Sequence, residues 1–161
     1  MSPLRAMIAM CLLAIALAGA GPTTTARPPA TTTSPTGTQP AVRFIAMDVH
    51  VNSGDRPLAA YQFELTAPAE RFAIVGVEGG SHAAFAPPPY YDPAALSRNR
   101  IIIAAFNTGK DLPTGRTRVA RIHARVVGDQ DVTPRIKLIV AASADGGEIP
   151  ATATVVPGGQ P

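Results

Sequence analysis

Cysteine occurs once in the chain, at Cys11, within the first twenty residues. No intrachain disulfide can form, and beyond that point thiol catalysis, thiolate metal sites and dithiol redox chemistry have no residues to work with. Tryptophan is absent and aromatic residues make up only 5%, so a sugar-stacking surface would have to be built without the largest planar side chain. Charged residues are equally sparse, at 16%. The formal charge is +3 and no Lys/Arg run is present, which removes the electrostatic footprint of a nucleic-acid binder. No window carries the 3.6-residue apolar stripe of a convincing amphipathic helix.

What is present begins with a leader. "MSPLRAM" supplies one Arg, "IAMCLLAIALA" is an uninterrupted apolar run, and Ala18-Gly19-Ala20 is a small-x-small cleavage signal. This is the layout of a secretory signal peptide over residues 1–20, and the run is too short for a comfortable membrane span. The expected mature chain starts near Gly21, is secreted or otherwise extracytoplasmic, and has no membrane span. Lipoprotein anchoring at Cys11 is the competing arrangement, but Met10 precedes that cysteine and the apolar run mostly follows it. Residues 21–40, "GPTTTARPPATTTSPTGTQP", hold no large apolar side chain. They cannot bury surface, and their prolines favour extended polyproline II structure. A disordered linker reaching roughly 60 Å, at about 3.1 Å per residue, is expected.

Residues 41–157 are of single-domain size, and residues 158–161 read as a disordered tail. Period two runs through the domain. Ile45, Met47, Val49 and Val51 alternate with Ala46, Asp48 and His50; Tyr61, Phe63 and Leu65 alternate with Gln62 and Glu64. Ala120, Ile122, Ala124 and Val126 alternate with Arg121, His123 and Arg125. Ile136, Leu138, Val140 and Ala142, and then Ile149, Ala151, Ala153 and Val155, continue the pattern. These are half-buried antiparallel strands. "RIIIAAFN", Arg100 to Asn107, is apolar on both faces and reads as a central strand. Turn chemistry separates the runs at Asn52-Ser53-Gly54-Asp55, Pro113-Thr114-Gly115, Gly128-Asp129 and Asp145-Gly146-Gly147. "DPAALSR" predicts one helical turn capped by Asp92, with Pro93 at its first position. Many short strands at this spacing predict an all-β fold, a single antiparallel β-sandwich.

Chemistry is scarce. Asp48 and His50 share a strand face and make half a metal site, but no third ligand follows from spacing, and they read as a solvent-facing pair. Ser81-His82 lacks a nucleophile elbow and an ordered triad. The acids Asp48, Glu64, Glu78, Asp92 and Asp111 are not paired by any pattern. No catalytic residue, metal ligand or cofactor is expected. Two surface features remain. In "FAPPPYYDP" three prolines stiffen the approach to Tyr90 and Tyr91, which cannot both point inward from an extended segment. Either one ring is a contact residue or both cover one end of the sandwich. Arg121, His123 and Arg125 put three basic groups on one strand face, with Lys137 on a possible neighbouring strand. That face is either solvated or suited to an acidic partner.

"PLAAYQFELTAPAERFAIVGVEGG" resembles the second and third strands of cohesin-type domains, where a "glayqf-x-l" strand precedes a "v-x-v-x-x-G" strand. "RIIIAAFN" resembles their central strand, "LPTGRTRVARIHARVVG" a later strand with its closing turn, and "LIVAASADGGEIPATAT" their last hairpin. The likeness spans most of Val42 to Val155. It implies a jelly-roll β-sandwich, related to cellulose-binding modules, that binds dockerin domains or other extracellular proteins through a sheet face without catalysis. The Pro-rich Phe85–Pro93 segment departs from the family pattern, and no dockerin-contact motif is matched. The resemblance thus implies a secreted protein-binding module, whose contact surface would be a sheet face such as the one bearing Arg121, His123 and Arg125. The alternative is a carbohydrate-binding module that uses Tyr90 and Tyr91.

The leader generates a first prediction. Expression with residues 1–20 intact should give an extracytoplasmic product that begins at Gly21 and contains no thiol. Amino-terminal sequencing and thiol titration test it; a product retaining Cys11 would refute the cleavage site.

Overall fold

The computed structural model describes residues 40–159. The expected signal peptide, all of the expected linker except Pro40, and the last two residues of the expected tail lie outside the described residues. The strands are β1 (Val42–Asn52), β2 (Ala60–Thr66), β3 (Phe72–Gly79), β4 (Tyr90–Tyr91), β5 (Arg100–Phe106), β6 (Arg116–Val127), β7 (Arg135–Ala142) and β8 (Thr152–Pro157). They form two four-stranded antiparallel sheets, ordered β3-β6-β1-β8 and β4-β5-β2-β7. Only the β4–β5 connection stays within one sheet; every other connection crosses to the other. Among the described residues no helix is long and apolar enough to cross a membrane.

This interleaving follows from the period-two pattern. Each strand has one apolar face, and two such sheets can bury those faces only against each other. Val49, Val51, Ile74, Ile122 and Val126 of the first sheet share one core with Tyr61, Phe63, Leu65, Ile101 and Ile103 of the second. Phe85, from the 3₁₀ turn Ala83–Phe85, and Leu58 and Ile149 from loops complete it. All four predicted turns contain a glycine with positive φ. The predicted single turn forms at Pro93–Ala95, where the Asp92 carboxylate accepts a hydrogen bond from the Ala94 N–H at 2.9 Å.

Three bulges change the alternation. Between β1 and β6 the register slips at Val49/His50, so Val119 and Ala120 of β6 both face the core. The Val119 carbonyl is satisfied across the core by the Tyr61 hydroxyl, which donates to it at 2.9 Å. The Arg118 carbonyl accepts instead from the Ser81 N–H at 2.9 Å. In β3 the slip between Ile74 and Gly76 turns Val75 outward to 42% exposure while Ile74 stays buried. In β7 the slip opposite Gln62/Phe63 moves Ala141 into the core and leaves Ile139 and Val140 exposed, so Val140 and Ala142 do not continue the inward series of Ile136 and Leu138. The expectation for Arg100–Asn107 also needs correction. β5 has neighbours on both sides, but its outer face stays open: Ile101 and Ile103 are buried, whereas Ile102 and Phe106 are exposed.

The Gly79-Gly80 pair at the end of β3 is required by close backbone approach. A Cβ on Gly80 would lie 2.4 Å from the Arg118 carbonyl oxygen, and one on Gly79 only 2.0 Å from that of Ala86. At Gly76 a Cβ would meet nothing nearer than the His123 side chain at 3.6 Å. Gly80→Ala should therefore destabilise the fold by about 2 kcal/mol, in the range of overpacking substitutions. Gly76→Ala should cost less, and urea denaturation of the two variants side by side measures the difference.

Candidate functional site

The outer face of the β3-β6-β1-β8 sheet is organised by the β6 bulge. Arg118 and Arg121 are three residues apart, a spacing that ordinary alternation would send to opposite faces. The extra residue returns both to the outer face, Arg121 opposite Asp48 and Arg118 opposite His50. Arg121 forms a two-pronged pair with Asp48, Nε to Oδ1 at 2.8 Å and Nη2 to Oδ2 at 3.1 Å. Arg118 approaches the same carboxylate at 3.7 Å. Asp48 is nearly buried, and its hydrogen bond to Arg121 holds its carboxyl below the usual carboxylate range, with Arg118 adding to the effect. The pKa of His50 is lowered as well, by desolvation and then by the charge of Arg116, which favours its neutral form. Asp48 and His50 are thus not the solvent-facing pair expected. Asp48 is committed to arginine, and among the described residues no three His, Cys, Asp or Glu side chains converge as a metal site would require.

Along the same face, His123 Nε2 lies 2.8 Å from Glu78 Oε1, and Gly76 on β3 gives the imidazole room beside the backbone. Arg125 is exposed and stands opposite Phe44 of β1, itself 71% exposed. β8 stops at Pro157, paired with Met47, and one further backbone hydrogen bond, from the Gly158 N–H to the Ala46 carbonyl at 2.8 Å, ends the ladder. The first part of β1 therefore has no neighbour on that side. A groove of about 810 Å³ opens there, with Phe44, Ala46, Val132, Pro134 and Val156 supplying apolar surface and Arg121, His123 and Glu78 a polar margin. The 128–134 loop beside it is tied down by Arg43, which pairs with Asp131 at 3.2 Å, and by Arg71, whose Nη1 donates to Gln130 Oε1 at 2.8 Å.

The second sheet places the tyrosines. They form the edge strand β4 rather than a loop, with Tyr90 opposite Ala104 and Tyr91 opposite Ile103. Tyr91 packs against the core, and Tyr90 is 69% exposed. The two rings therefore do not jointly cover one end of the fold. Tyr90 lies nearly parallel to Phe106, 10° between ring planes and 6.2 Å between centroids. A shallow cleft of about 430 Å³ beside it is lined by Tyr90, Gln62, Asp92, Arg100, Ile102 and Ala104.

Arg121, His123 and Arg125 do share one face, but carboxylates from both flanking strands occupy two of the three. Lys137 does not join them. It belongs to β7 of the other sheet, opposite Glu64. Ser81 and His82 form no nucleophile–base pair; His82 Nδ1 accepts from the Ala84 N–H at 3.2 Å and caps the 3₁₀ turn. Sequence reasoning missed Arg118, because a bulge carries no period-two signal, and did not single out Phe44 or Phe106, the latter lying in a stretch that read as apolar on both faces. Comparison with protein-family models, curated proteins and solved structures finds no match.

The Asp48–Arg121 pair makes a pH-dependent contribution with a defined sign. The folded-state pKa of Asp48 lies below its unfolded value, so the pair stabilises above about pH 4 and its contribution is lost as pH falls through the folded value. Asp48→Asn should lower stability at neutral pH and flatten its acid dependence below about pH 4. Urea midpoints from pH 2 to 7 (taken on the order of one unit apart) test this; parallel curves for wild type and variant would contradict it.

Proposed function

We propose that the chain is an extracytoplasmic, non-catalytic binding module of the cohesin-like, jelly-roll type, which engages a protein partner through the outer face of the β3-β6-β1-β8 sheet. The observation that carries this reading is the groove beside Phe44. It combines an exposed aromatic anchor, further apolar surface and a polar margin of Arg121, His123 and Glu78, which is the anatomy of a protein-contact patch. Arg125 adds a charge not committed to a neighbouring strand, beside the anchor. The ion pairs of Asp48 and Glu78 hold their partners in fixed positions, so little side-chain entropy would be lost on binding. The cohesin-like reading rests on the sequence motifs that resemble that family; here "YQFEL" lies in β2, "FAIVGVEG" in β3, "RIIIAAF" in β5 and "RTRVARIHARVV" in β6.

Arg121→Ala is a poor probe of the face because it leaves the nearly buried Asp48 carboxylate without its main partner. Phe44→Ala combined with Arg125→Ala removes contact groups that the fold does not use. Affinity purification from the host's secreted proteins should return a defined partner. The double variant should weaken that complex at least about tenfold, as loss of an aromatic anchor does, while melting at the wild-type temperature. An unchanged affinity would remove this face from consideration.

A further inference from the structure

We propose that the outer face of the β4-β5-β2-β7 sheet is a glycan-binding site, in which Tyr90 stacks on a pyranose ring of a β-linked glucan or xylan. The site lies on the other sheet from the protein-binding face and does not depend on that reading.

A pyranose with equatorial hydroxyls has two C–H faces apolar enough to lie on an aromatic ring, and a rim of hydroxyls that needs both donors and acceptors. The cleft offers both. Tyr90 is its wall. In register with Tyr90 stands the small Ala104, which does not cover the ring. Phe106, two residues along β5, lies nearly parallel to Tyr90. Ile102, two residues the other way, lines the cleft whereas Phe106 does not. Tyr90 is therefore supported on one side and open to the cleft on the other.

The polar groups sit where the hydroxyl rim of a stacked sugar would fall. Gln62 lies opposite Ala104 on β2 and supplies an amide donor and an acceptor. Arg100 is fixed by Glu64, Nε to Oε1 at 2.9 Å and Nη2 to Oε2 at 3.1 Å. That leaves its remaining nitrogen and the spare carboxylate lone pairs to serve a ligand. All of these groups stand on paired strands, and Pro87-Pro88-Pro89 stiffens the approach to Tyr90. Ordering cost on binding is correspondingly small. β4 pairs only with Ile103 and Ala104 of β5, and the cleft continues past it along Arg100 to Ile102, bounded by Asp92 and Ala95, which gives an extended chain of sugars a track along β5. A single aromatic wall over a floor of amide and guanidinium suits a polyhydroxylated ring better than the apolar centre of a protein interface.

The test is affinity electrophoresis in hydroxyethyl cellulose, mixed-linkage β-glucan, xylan and polygalacturonate, followed by calorimetry with cellohexaose and xylohexaose. At least one neutral polymer should retard the protein. Tyr90→Ala should weaken binding at least about tenfold, Tyr90→Trp should keep or strengthen it, and Phe106→Leu should weaken it severalfold. Phe44→Ala should leave it unchanged, which separates this site from the protein-binding face. Thermal melts confirm that the variants fold; Tyr90 is exposed enough for Ala to be tolerated. No retardation by any neutral polymer overturns the proposal, as does retardation that survives Tyr90→Ala. Retardation by polygalacturonate alone, abolished by about 0.5 M salt, overturns it in favour of charge attraction to the arginines.

Discussion

The hydrogen bond from the Tyr61 hydroxyl to the Val119 carbonyl, 2.9 Å long and fully buried, is the point on which both sheets depend. A bulge in β6 leaves that carbonyl without its ladder partner, and an unpaired carbonyl in a core costs about 1–3 kcal/mol. Tyr61 comes from the opposite sheet, so the bond that satisfies the bulge also fixes how the sheets face each other. Its ring stacks with Phe63 at 5.9 Å and meets Phe85 edge-on at 5.1 Å, which sets the hydroxyl's direction. Burial in turn raises the phenol's pKa far above its ordinary value, so the hydroxyl stays a donor at any pH the fold survives. The neighbouring Arg118 carbonyl is satisfied by Ser81, and that contact brings Gly80 against the β6 backbone. The glycine pair after β3 and the tyrosine of β2 are thus two parts of one repair of the bulge.

The bulge is also what makes the outer face of the first sheet. Without it, Arg118 would point into the core and Asp48 would face one guanidinium instead of two. With it, the arginines converge on a nearly buried carboxylate. Exposed ion pairs contribute little to stability, but this one is partly desolvated and two-pronged, so its value lies in holding Arg121 in one geometry. The face that read as basic in sequence is in consequence an ordered mixture of signs. Arg125 and Phe44 stand exposed on it, opposite each other in register.

Most of the fold was legible because alternation and turn chemistry are local. The inward residues of β1, β2, β6 and β8, the four glycine turns and the Asp92-capped turn all sit where the pattern puts them. What was not legible comes from pairing. The exposure of Val75, Ile139 and Val140 follows from bulges, which exist only relative to a partner strand. The outer face of β5 looked buried because Ile102 and Phe106 are apolar, yet no sequence signal states whether another layer covers a sheet. The candidate sites show the same division. Arg121, His123 and Arg125 were placed on one face correctly, but their acidic partners come from β1 and β3, 73 and 45 residues away in sequence for the first two. The prolines marked Tyr90 and Tyr91 as a pair that could not both point inward, whereas Phe106 as the companion of Tyr90 became visible only once β4 was paired with β5.

The state of the carboxylates bears on whether such a protein binds or catalyses. Acid–base catalysis near neutral pH needs a carboxyl whose pKa is raised toward the working pH by apolar burial or by a like charge. The acids on these faces are arranged in the opposite sense. Asp48 is clasped by Arg121 and Glu64 by Arg100, and in each case the hydrogen bond to arginine lowers the carboxyl's pKa; Glu78 lies against His123 and Asp131 against Arg43. Asp48 and Glu64, held ionised in this way, are poor proton donors, but they make good fixtures: each fixes the direction of an arginine. A flat sheet with side chains held by such pairs presents hydrogen-bonding groups at constant spacing to whatever lies on it. That property would suit the two modes of recognition proposed above, a protein surface on one sheet and a sugar chain on the other.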